Sequence, residues 1–600
     1  MANLNLQRFM PTLKGYGSAL QALKRWRQPT ITATHASQTR YDYIIVGAGS
    51  AGCLLAERLS KESKIRVLLV EAGPKDTNPW IHVPVGYFKT LHNPKYDWCF
   101  KTDPTSTGLN GKTLSWPRGK VLGGSSSLNG LLYVRGQEED YNDWEAQGNT
   151  GWGWENVRRA FEKIENHDED TLNQSSGSSS QNYGRHGHLN VASGRMKSEL
   201  CERFLEASAE IGLPIHRGAD INSNPQEGAG YFLQTAQDGF RCSSAVAHLN
   251  QTYGRDNLDV LTDCLVQKVT LDPQHRATGI MLTPTTNCSD GGGRGEPLNV
   301  LLNHLDPNSE VILSAGAIGS PQLLQLSGIG VAKKSTEIGI KHFIHLPGVG
   351  QNLQDHLQLR QVFECRGLPT LNTQLASYYQ QLLVGIQYVA NRTGPLSMAA
   401  SQVCAFVKTR EDLSRPDIQF HLQPLSSTNE PGAGLDSYSA FTSSVCQLRP
   451  TSVGSVEVVS ANVADAPLLC PNYLSTEEDI RCAIDALRFS RKLCAETKAM
   501  APIVGKELRP GNDCVTDDEL LDGAMRVAES IYHPSGTCKM GVDAMSVVDD
   551  QLKVLGGCQK LRVVDCSIMP TIVSGNTNAP TMMIAQRASE MILSQRIGAV

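Results

Sequence analysis

The chain of 600 residues lacks several patterns that would place it in whole classes of protein. No stretch reaches the roughly 18 uninterrupted apolar residues that a membrane-spanning helix needs. The sixteen cysteines form no Cys-x-x-Cys pair and no Cys/His cluster at zinc spacing, so we expect neither a redox dithiol nor a metal site. The formal net charge of −5 gives no basic footprint for nucleic-acid binding. These absences favour a globular protein with reduced thiols in a cytosolic or matrix setting.

Acidic residues are absent from residues 1–41, where six basic residues stand: Arg8, Lys14, Lys24, Arg25, Arg27 and Arg40. Three hypotheses for this segment stay open. It is a disordered basic tail on a cytoplasmic protein, a transit-type presequence for mitochondria, or a short helix that lies on an anionic membrane surface. Its leucines and aromatic residues are compatible with an amphipathic surface, but Pro11, Gly15 and Gly17 interrupt it.

A strand, a glycine-rich turn, a helix and a second strand follow one another over 43–71. The spacing predicts strands over 43–46 and 65–70 and a helix over 51–60. Glycines let the turn approach a pyrophosphate closely, and the first N–H groups of the helix point at that anion. An acid 24 residues after Gly47 can accept from both hydroxyls of an adenosine ribose. We therefore predict a dinucleotide held by Gly47, Gly49, Ser50, Ala51, Gly52 and Glu71.

The rest of the sequence contains further patterns that are typical of strands and of helices. A β-meander is predicted over 257–280, and the strand 310–315 leads to Ser320 and Pro321, which suit the cap and first position of a short helix. Alternating stretches at 417–422 and 454–460 predict an antiparallel sheet, with helices over 375–391 and 477–494. A strand over 561–565 and a helix over 580–594 then return to the nucleotide fold.

These patterns predict an α/β protein, α+β overall, because 600 residues exceed one ordinary hydrophobic core. We expect a Rossmann-type nucleotide domain interleaved with a substrate-binding domain, which is built on an antiparallel sheet flanked by helices. The expected parts are a basic extension (1–40), a nucleotide domain that includes part of the substrate domain near 150–240 (41–356), the substrate-binding domain (357–510) and the return to the nucleotide domain (511–600).

Five further motifs resemble the signatures of the glucose-methanol-choline oxidoreductases. They stand in the family's order at 119–130, 316–330, 348–356, 533–537 and 575–581. The resemblance covers essentially everything after residue 40. It implies that the dinucleotide is FAD rather than NAD.

Several residues are assigned to the FAD site by this resemblance. Gly123 and Gly124 let the main chain pass close to a flat ring, where any Cβ would collide. The family likeness implies that Asn129 and Gly130 contact the flavin, that Val266 binds through its backbone, and that three more residues belong to the site: Asp565, Asn576 and Thr581.

The last predicted helix and one departure from the family pattern bear on how the flavin is held. Pro580 suits the first position of this helix, whose positive end lies beside the flavin in the family architecture. Some relatives attach FAD covalently through a histidine, and Leu128 stands at that position here. We therefore expect non-covalent FAD.

Oxidation of an alcohol removes a proton from oxygen and a hydride from carbon. His533 is the candidate base, since imidazole titrates near neutrality, and flavin N5 would accept the hydride. Asn576 resembles the family's second catalytic residue and would hold the same oxygen. Choline-oxidising relatives carry a glutamate where Gln358 stands, and the loss of that carboxylate disfavours a cationic substrate.

An uncharged primary alcohol is therefore the substrate that the sequence favours. Several alternatives stay open. The electron acceptor is a quinone or another carrier, which makes the protein a dehydrogenase, or dioxygen, which makes it an oxidase that releases hydrogen peroxide. A hydroxynitrile lyase that keeps FAD as a relic and a non-catalytic FAD-binding scaffold are further hypotheses. The protein is a monomer or a homodimer, and a peripheral membrane contact through the basic N-terminus is one of the three hypotheses for that segment.

Overall fold

The computed structural model describes residues 31–105, 108–175, 182–285, 295–428 and 434–597. Most of the predicted basic extension therefore lies outside the described residues. The first described element is the helix Ala33–Gln38, whose N-cap is Thr32. The chain then enters the predicted nucleotide fold at Tyr43.

A parallel sheet of five short strands forms the first layer, as expected of a Rossmann-type fold. Its order in space is Leu258–Leu261, Val67–Val70, Tyr43–Val46, Glu310–Leu313 and Leu561–Val563. The central strands are apolar on both faces and fully buried, which is typical of a parallel sheet covered by helices. The helix Ser50–Leu59 packs against the C-terminal helix Asn578–Ile597. Segments near the start and near the end of the sequence thus pack together on the parallel sheet.

An antiparallel sheet of seven strands forms the second large layer and contains the predicted stretch 417–422, whereas the strand Ser455–Glu457 of the predicted stretch 454–460 belongs to a separate pair. Six strands follow one another in the order Val504–Arg509, Leu357–Cys365, Ala440–Gln447, Ile418–Gln423, Val403–Val407 and Gly228–Tyr231. The seventh, Ala528–Ser530, pairs with the start of Leu357–Cys365. Each large sheet contributes to its own hydrophobic core.

Smaller sheets complete the framework. Two have four strands each: Arg40–Tyr41, Leu298–Leu302, Ala277–Pro284 and Cys264–Leu271; and Leu132–Tyr133, Leu233–Gln234, Leu189–Ser193 and Glu165–His167. Four are pairs: Ala236–Gln237 with Phe240–Arg241, Ile329–Gly330 with Ile344–His345, Ser455–Glu457 with Leu468–Cys470, and Phe100–Lys101 with Ser115–Trp116. The expected meander is only partly present, since Leu258–Leu261 joins the parallel sheet instead.

The helices lie around these sheets. The remaining α-helices are Pro79–His82, Tyr87–Thr90, Glu138–Ala146, Trp154–Ile164, Glu169–Gln174, Glu199–Glu210, Ser244–Ala247, Gly316–Leu326, Ala332–Glu337, Leu371–Gln374, Tyr378–Asn391, Glu477–Arg491 and Asp517–Val527. Within the described part of the chain, no helix is both long and apolar enough to cross a membrane. The domain boundaries expected from the sequence stay a prediction.

The helix Gly316–Leu326 begins five residues earlier than the sequence predicts. Ser320 and Pro321 were expected at its start, but both lie inside it. Proline cannot donate to the carbonyl four residues back, and that carbonyl, of Ala317, instead accepts from the hydroxyl of Thr537 at 2.6 Å. A tertiary hydrogen bond thus satisfies the group that Pro321 leaves free, so the helix tolerates the proline.

Candidate active site

A cavity of about 1780 Å³ is lined by residues from both large sheets. Val46 and Val70 come from the parallel sheet, and Gln358 and Gln423 come from the antiparallel sheet. Pockets for a single small molecule usually measure about 300–1,000 Å³. The cavity is therefore large enough for a dinucleotide together with a substrate.

Most of the residues predicted for the site lie on this cavity. Those that line it are Gly47, Gly49, Ser50, Ala51, Glu71, Gly124, Asn129, Gly130, Val266, His533, Asp565, Asn576 and Thr581. Gly52, Gly123 and Pro580 lie behind the lining. Pro580 is the third residue of the last helix rather than the first. There its missing N–H still falls within the first turn, where no helical bond would be made. The cofactor contacts themselves stay predictions.

The three glycines of the first turn have different physical roles. A Cβ on Gly52 would stand 1.9 Å from the carbonyl oxygen of Gly47, so this glycine allows the helix to pack on the strand. Gly47 has a φ of +99° and lies against the backbone of Ser314. A Cβ on Gly49 would meet no protein atom within 4 Å, although Gly49 lines the cavity. The open space beside Gly49 fits the close approach of a pyrophosphate.

Glu71 lies at the end of its strand with its carboxylate buried at the cavity wall. Its oxygens accept from the N–H groups of Ala48 at 3.0 Å and Gly73 at 2.9 Å. Burial raises the pKa of Glu71 to about 7. Each oxygen retains a further lone pair, so acceptance from a ribose hydroxyl is compatible with these bonds.

The second glycine motif packs directly against the first. Gly123 and Gly124 both have positive φ, and a Cβ on Gly124 would stand 2.7 Å from the Cα of Gly49. The amide oxygen of Asn129 accepts from the buried guanidinium of Arg241 at 2.7 Å. The two motifs thus form one backbone cradle with little side-chain bulk.

Three helix N-termini meet at the same cavity. Ser50, Gly316 and Asn578 each begin a helix, and each lines the cavity. Helix N-termini carry partial positive charge and unpaired N–H groups, which attract anions. Together with the glycine cradle and the ribose acceptor, they fit a bound FAD.

Asp565, a predicted FAD contact, accepts several hydrogen bonds from other residues of the protein. Its carboxylate accepts from Gly316 N–H at 2.9 Å and from the Ser320 hydroxyl at 2.6 Å, so it caps the helix Gly316–Leu326 from outside. Its other oxygen accepts from Ser567 N–H at 2.8 Å. Burial raises the pKa of Asp565.

The two candidate catalytic side chains are brought together. Asn576 Nδ2 lies 3.2 Å from Nε2 of His533, and both residues are buried and line the cavity. The amide oxygen of Asn576 has no hydrogen-bond partner among the described residues. Asn576 Nδ2 carries two N–H donors, so beside the imidazole one of them can hold the oxygen of a substrate hydroxyl.

A chain of hydrogen bonds decides which nitrogen of His533 carries the proton. The carbonyl of Leu448 only accepts, so His356 Nε2 must donate to it, at 2.9 Å. The other nitrogen of the neutral His356 ring is then an acceptor, and His533 Nδ1–H donates to it at 3.0 Å. The lone pair of neutral His533 is therefore on Nε2, the nitrogen that faces Asn576.

These imidazoles are neutral in the folded protein. Burial, together with the neighbouring His356 and His421, holds the pKa of His533 well below its usual value. Burial also lowers the pKa of His356 to about 4 and that of His421 to about 3. His533 is thus available as a proton acceptor at neutral pH.

Asp355 positions the segment that carries His533. It accepts from His533 N–H at 2.7 Å, from the Ser530 hydroxyl at 2.6 Å and from the Tyr473 hydroxyl. Burial raises the pKa of Asp355 to about 6. The sequence motif at 348–356 contains both Asp355 and His356, but nothing in the sequence reveals that they support His533.

Several further side chains line the cavity, and others that lie near lining residues in the sequence do not. His421 lines it, and neither of its ring nitrogens has a partner among the described residues. Lining residues without an assigned role in the sequence include Tyr87, Phe88, Arg118, Arg360, Gln423 and Tyr532. The side chains of Tyr378, Tyr379, Tyr388, Phe420, Met398 and Met540 do not line the cavity. In the described part of the chain, no cluster of side chains could hold a metal ion.

Known proteins resemble this chain over most of its length. Two family models described as GMC oxidoreductase match residues 41–358 and 450–585. The chain is 40% identical to the alcohol dehydrogenase [acceptor] of Pseudomonas putida, over 92% of this chain and 96% of that protein. It is also 40% identical to human mitochondrial choline dehydrogenase, over 94% and 91% of the two chains. The crystal structure of pyridoxine 4-oxidase from Mesorbium loti superposes with a TM-score of 0.79 at 29% identity, covering 92% and 99%.

Proposed function

The chain belongs to the GMC oxidoreductase family, and on that premise we propose that it oxidises an uncharged primary alcohol to its aldehyde and passes the electrons to a quinone or another acceptor. Family membership makes the protein an oxidoreductase that acts on CH–OH donors, with FAD as its cofactor. The observation that carries the proposal is the His533–Asn576 pair, which lies in the cavity that the glycine cradle also lines.

His533 and Asn576 have different roles at the alcohol oxygen: Asn576 holds it, and His533 takes its proton. A hydroxyl within about 3 Å of both side chains accepts from Asn576 Nδ2 and donates its proton to His533 Nε2. FAD, when bound, supplies the acceptor for the hydride that leaves the carbon. The carbon is oxidised to an aldehyde, and the proton stays on His533 until it is lost to solvent.

The low pKa of His533 makes it a weak base, which suits a concerted reaction. As hydride leaves the carbon, the hydroxyl becomes acidic, because the remaining group is a protonated carbonyl. A weak base then suffices to take the proton. Burial prevents the imidazole from being protonated beforehand, so the lone pair on Nε2 is present when the alcohol binds.

The charges around the substrate space support an uncharged substrate over choline. Gln358 lines the cavity, and its amide donates to the Ser530 carbonyl at 3.2 Å. Arg360 also lines the cavity, and its guanidinium donates to the amide oxygen of Gln423 at 3.3 Å. Glu529 is a lining carboxylate, but it is paired with Lys112 at 3.4 Å. A trimethylammonium group would therefore meet the guanidinium of Arg360, while the lining carboxylates Glu529 and Asp436 are each paired with a cation, Asp436 with Arg509 at 2.7 Å.

Anaerobic mixing of the purified yellow protein with a panel of alcohols tests the proposal. Uncharged primary alcohols should bleach the flavin absorbance, whereas choline should bleach it slowly or not at all. A quinone dye should then restore the absorbance faster than dioxygen does. Rapid reoxidation by dioxygen with a matching yield of hydrogen peroxide would instead identify an oxidase.

Replacement of His533 tests the assigned base. We expect His533→Ala to keep bound flavin but to lose about 10²- to 10⁴-fold in the rate of flavin reduction, the usual contribution of general base catalysis. The matched control is His345→Ala, since His345 is exposed and away from the cavity. Bleaching of His533→Ala at the parent rate would show that another group takes the proton.

A further inference from the structure

The helix Tyr378–Asn391, called the mouth helix below, is exposed although it is apolar. Its fourteen residues include no Asp, Glu, Lys or Arg. A single side chain of the helix, Tyr388, is buried, and its hydroxyl donates to the carbonyl of Gly239 at 2.8 Å. The C-terminal turn therefore attaches the helix to the body of the protein, while the preceding turns are largely uncovered.

One face of the mouth helix belongs to the cavity. Gln381, Val384 and Gly385 line it, and they share that face with Tyr388 by helical spacing. Gln381 is exposed to solvent as well, so the helix stands where the cavity opens. On the same opening lie Trp80 and Phe88, two lining side chains that are also exposed.

The opposite face of the mouth helix is an uncovered apolar stripe. It recurs at intervals of three and four residues and consists of Tyr378, Tyr379, Leu382, Leu383, Ile386 and Val389, with exposed fractions between 47% and 90%. The stripe extends for about 17 Å at 1.5 Å per residue. A surface helix normally turns such a face toward the protein core, and an exposed contiguous apolar patch marks an interaction site.

The charges around the stripe indicate the chemistry of the partner. Arg392 caps the C-terminal end of the helix with its guanidinium over the rings of Phe240 and Tyr388, and Arg195, which pairs with Asp238 at 3.9 Å, donates to the Arg392 carbonyl. Lys89 is exposed at the cavity opening. An apolar stripe without charged residues, with tyrosines at one end, Arg392 at the other and Lys89 at the cavity opening, fits the interface of an anionic membrane.

We propose that the mouth helix lies on the surface of a lipid bilayer, with its outward stripe at the boundary of headgroups and acyl chains. In this position the cavity opens toward the membrane past Trp80 and Phe88. Delivery of a membrane-dissolved alcohol or quinone to His533 rests on the proposed function, but the binding itself does not. The membrane contact expected at the basic N-terminus falls on residues outside the described part of the chain, and the mouth helix offers a separate one.

Sedimentation with vesicles measures this binding without catalysis. The full-length, flavin-loaded protein is mixed with vesicles of phosphatidylcholine containing 30% phosphatidylserine, and no substrate is added. We expect the parent to sediment with the vesicles. The double variant Leu382→Glu/Ile386→Glu should bind more than tenfold less, because two aliphatic side chains that would enter the bilayer become charged. Vesicles of phosphatidylcholine alone should bind the parent more weakly.

Control variants separate the mouth helix from general surface effects. Val459→Glu/Val542→Glu places the same charges on exposed valines elsewhere and should bind like the parent. Arg25→Glu/Arg27→Glu tests the basic N-terminus and should retain most of the binding. Flavin reduction by a short water-soluble alcohol should be equal in all these proteins, so a folding defect is recognised.

Three results would overturn the proposal. The parent does not sediment with either vesicle, the mouth-helix variant binds as the parent does, or the parent is a dimer in ultracentrifugation and the variant a monomer. The last result would assign the stripe to a second copy of this chain. A failure of every alcohol to bleach the flavin would contradict the proposed function and would leave the vesicle measurement unaffected.

Discussion

The proton on His533 Nδ1 depends on a residue 177 positions earlier in the chain. His356 accepts this proton because its own Nε2–H is committed to the Leu448 carbonyl. The arrangement directs the lone pair of His533 toward Asn576. It is a positioning role, since His356 does not line the cavity.

Substitution of His356 should therefore affect the rate through His533. His356→Leu leaves a buried N–H without an acceptor, which costs about 1–3 kcal/mol and corresponds to roughly 5- to 150-fold in flavin reduction if the wrong tautomer must be reversed first. His356→Asn offers an amide oxygen as acceptor and should restore most of the rate. Stopped-flow reduction by one alcohol, with flavin content as the control for folding, measures both variants.

Equal rates for the Leu and Asn variants of His356 would contradict this role, because a purely structural effect does not distinguish an acceptor from an apolar side chain. The pH profile gives a second readout. In the parent, His533 stays neutral well below pH 6.5, so the rate should fall only in acid below that pH.

The sequence predicts the two candidate catalytic residues but not the residues that support them, because the supporting contacts are not local in the sequence. His533 and Asn576 are found because they stand in ordered motifs. The support from His356, Asp355 and Tyr473 arises from contacts between segments far apart in the chain, which local patterns do not encode. The unpaired nitrogens of His421 likewise follow from burial and not from any motif.

Among the elements, the turn between strand and helix at 47–52 offers a test of the FAD site. Gly52→Ala places a methyl group 1.9 Å from the Gly47 carbonyl and should cost about 1–3 kcal/mol or more of stability, even in protein freed of FAD. Gly49→Ala meets no protein atom, so the FAD-free protein should melt as the parent does. Its FAD affinity should nevertheless fall at least about tenfold, because the methyl group occupies the space expected for the pyrophosphate.

Thermal melting of FAD-free protein and fluorescence titration with FAD separate the two glycine effects. Gly254→Ala is a suitable control for a general cost of substitution at a turn, since it has a positive φ but also meets no atom within 4 Å. Unchanged FAD affinity in Gly49→Ala would show that the turn does not approach the pyrophosphate.

The sequence predicts whether a segment is a helix or a strand better than it predicts which other segment that strand or helix contacts. The strand at 258–261 is apolar enough to be recognised, yet it pairs with Val67–Val70 in the parallel sheet rather than with its neighbour in sequence. Periodicity reports which faces are buried and not which strand covers them. The early start of the helix Gly316–Leu326 has a similar cause, because Thr537 and Asp565 satisfy its backbone from the other end of the chain.

Over the whole molecule, the cavity joins segments from both ends of the sequence. Its walls include Gly49 and Glu71 from the first sixth of the chain and His533 and Asn576 from the last. The helices Ser50–Leu59 and Asn578–Ile597 pack together behind it, and the Ser50 hydroxyl donates to Asn578 at 2.8 Å. A ligand in the cavity would therefore contact both ends at once.

This arrangement predicts how FAD affects stability. Leu128 offers no nucleophile for a covalent bond, so we expect FAD to bind reversibly and to stabilise the folded chain by mass action. At free FAD one hundred times the dissociation constant, the gain is about 2.7 kcal/mol. The melting midpoint of FAD-free protein should rise steadily with added FAD, and acid precipitation of the loaded protein should leave the yellow colour in the supernatant. Colour that stays with the precipitate would show a covalent flavin, attached through a residue other than Leu128.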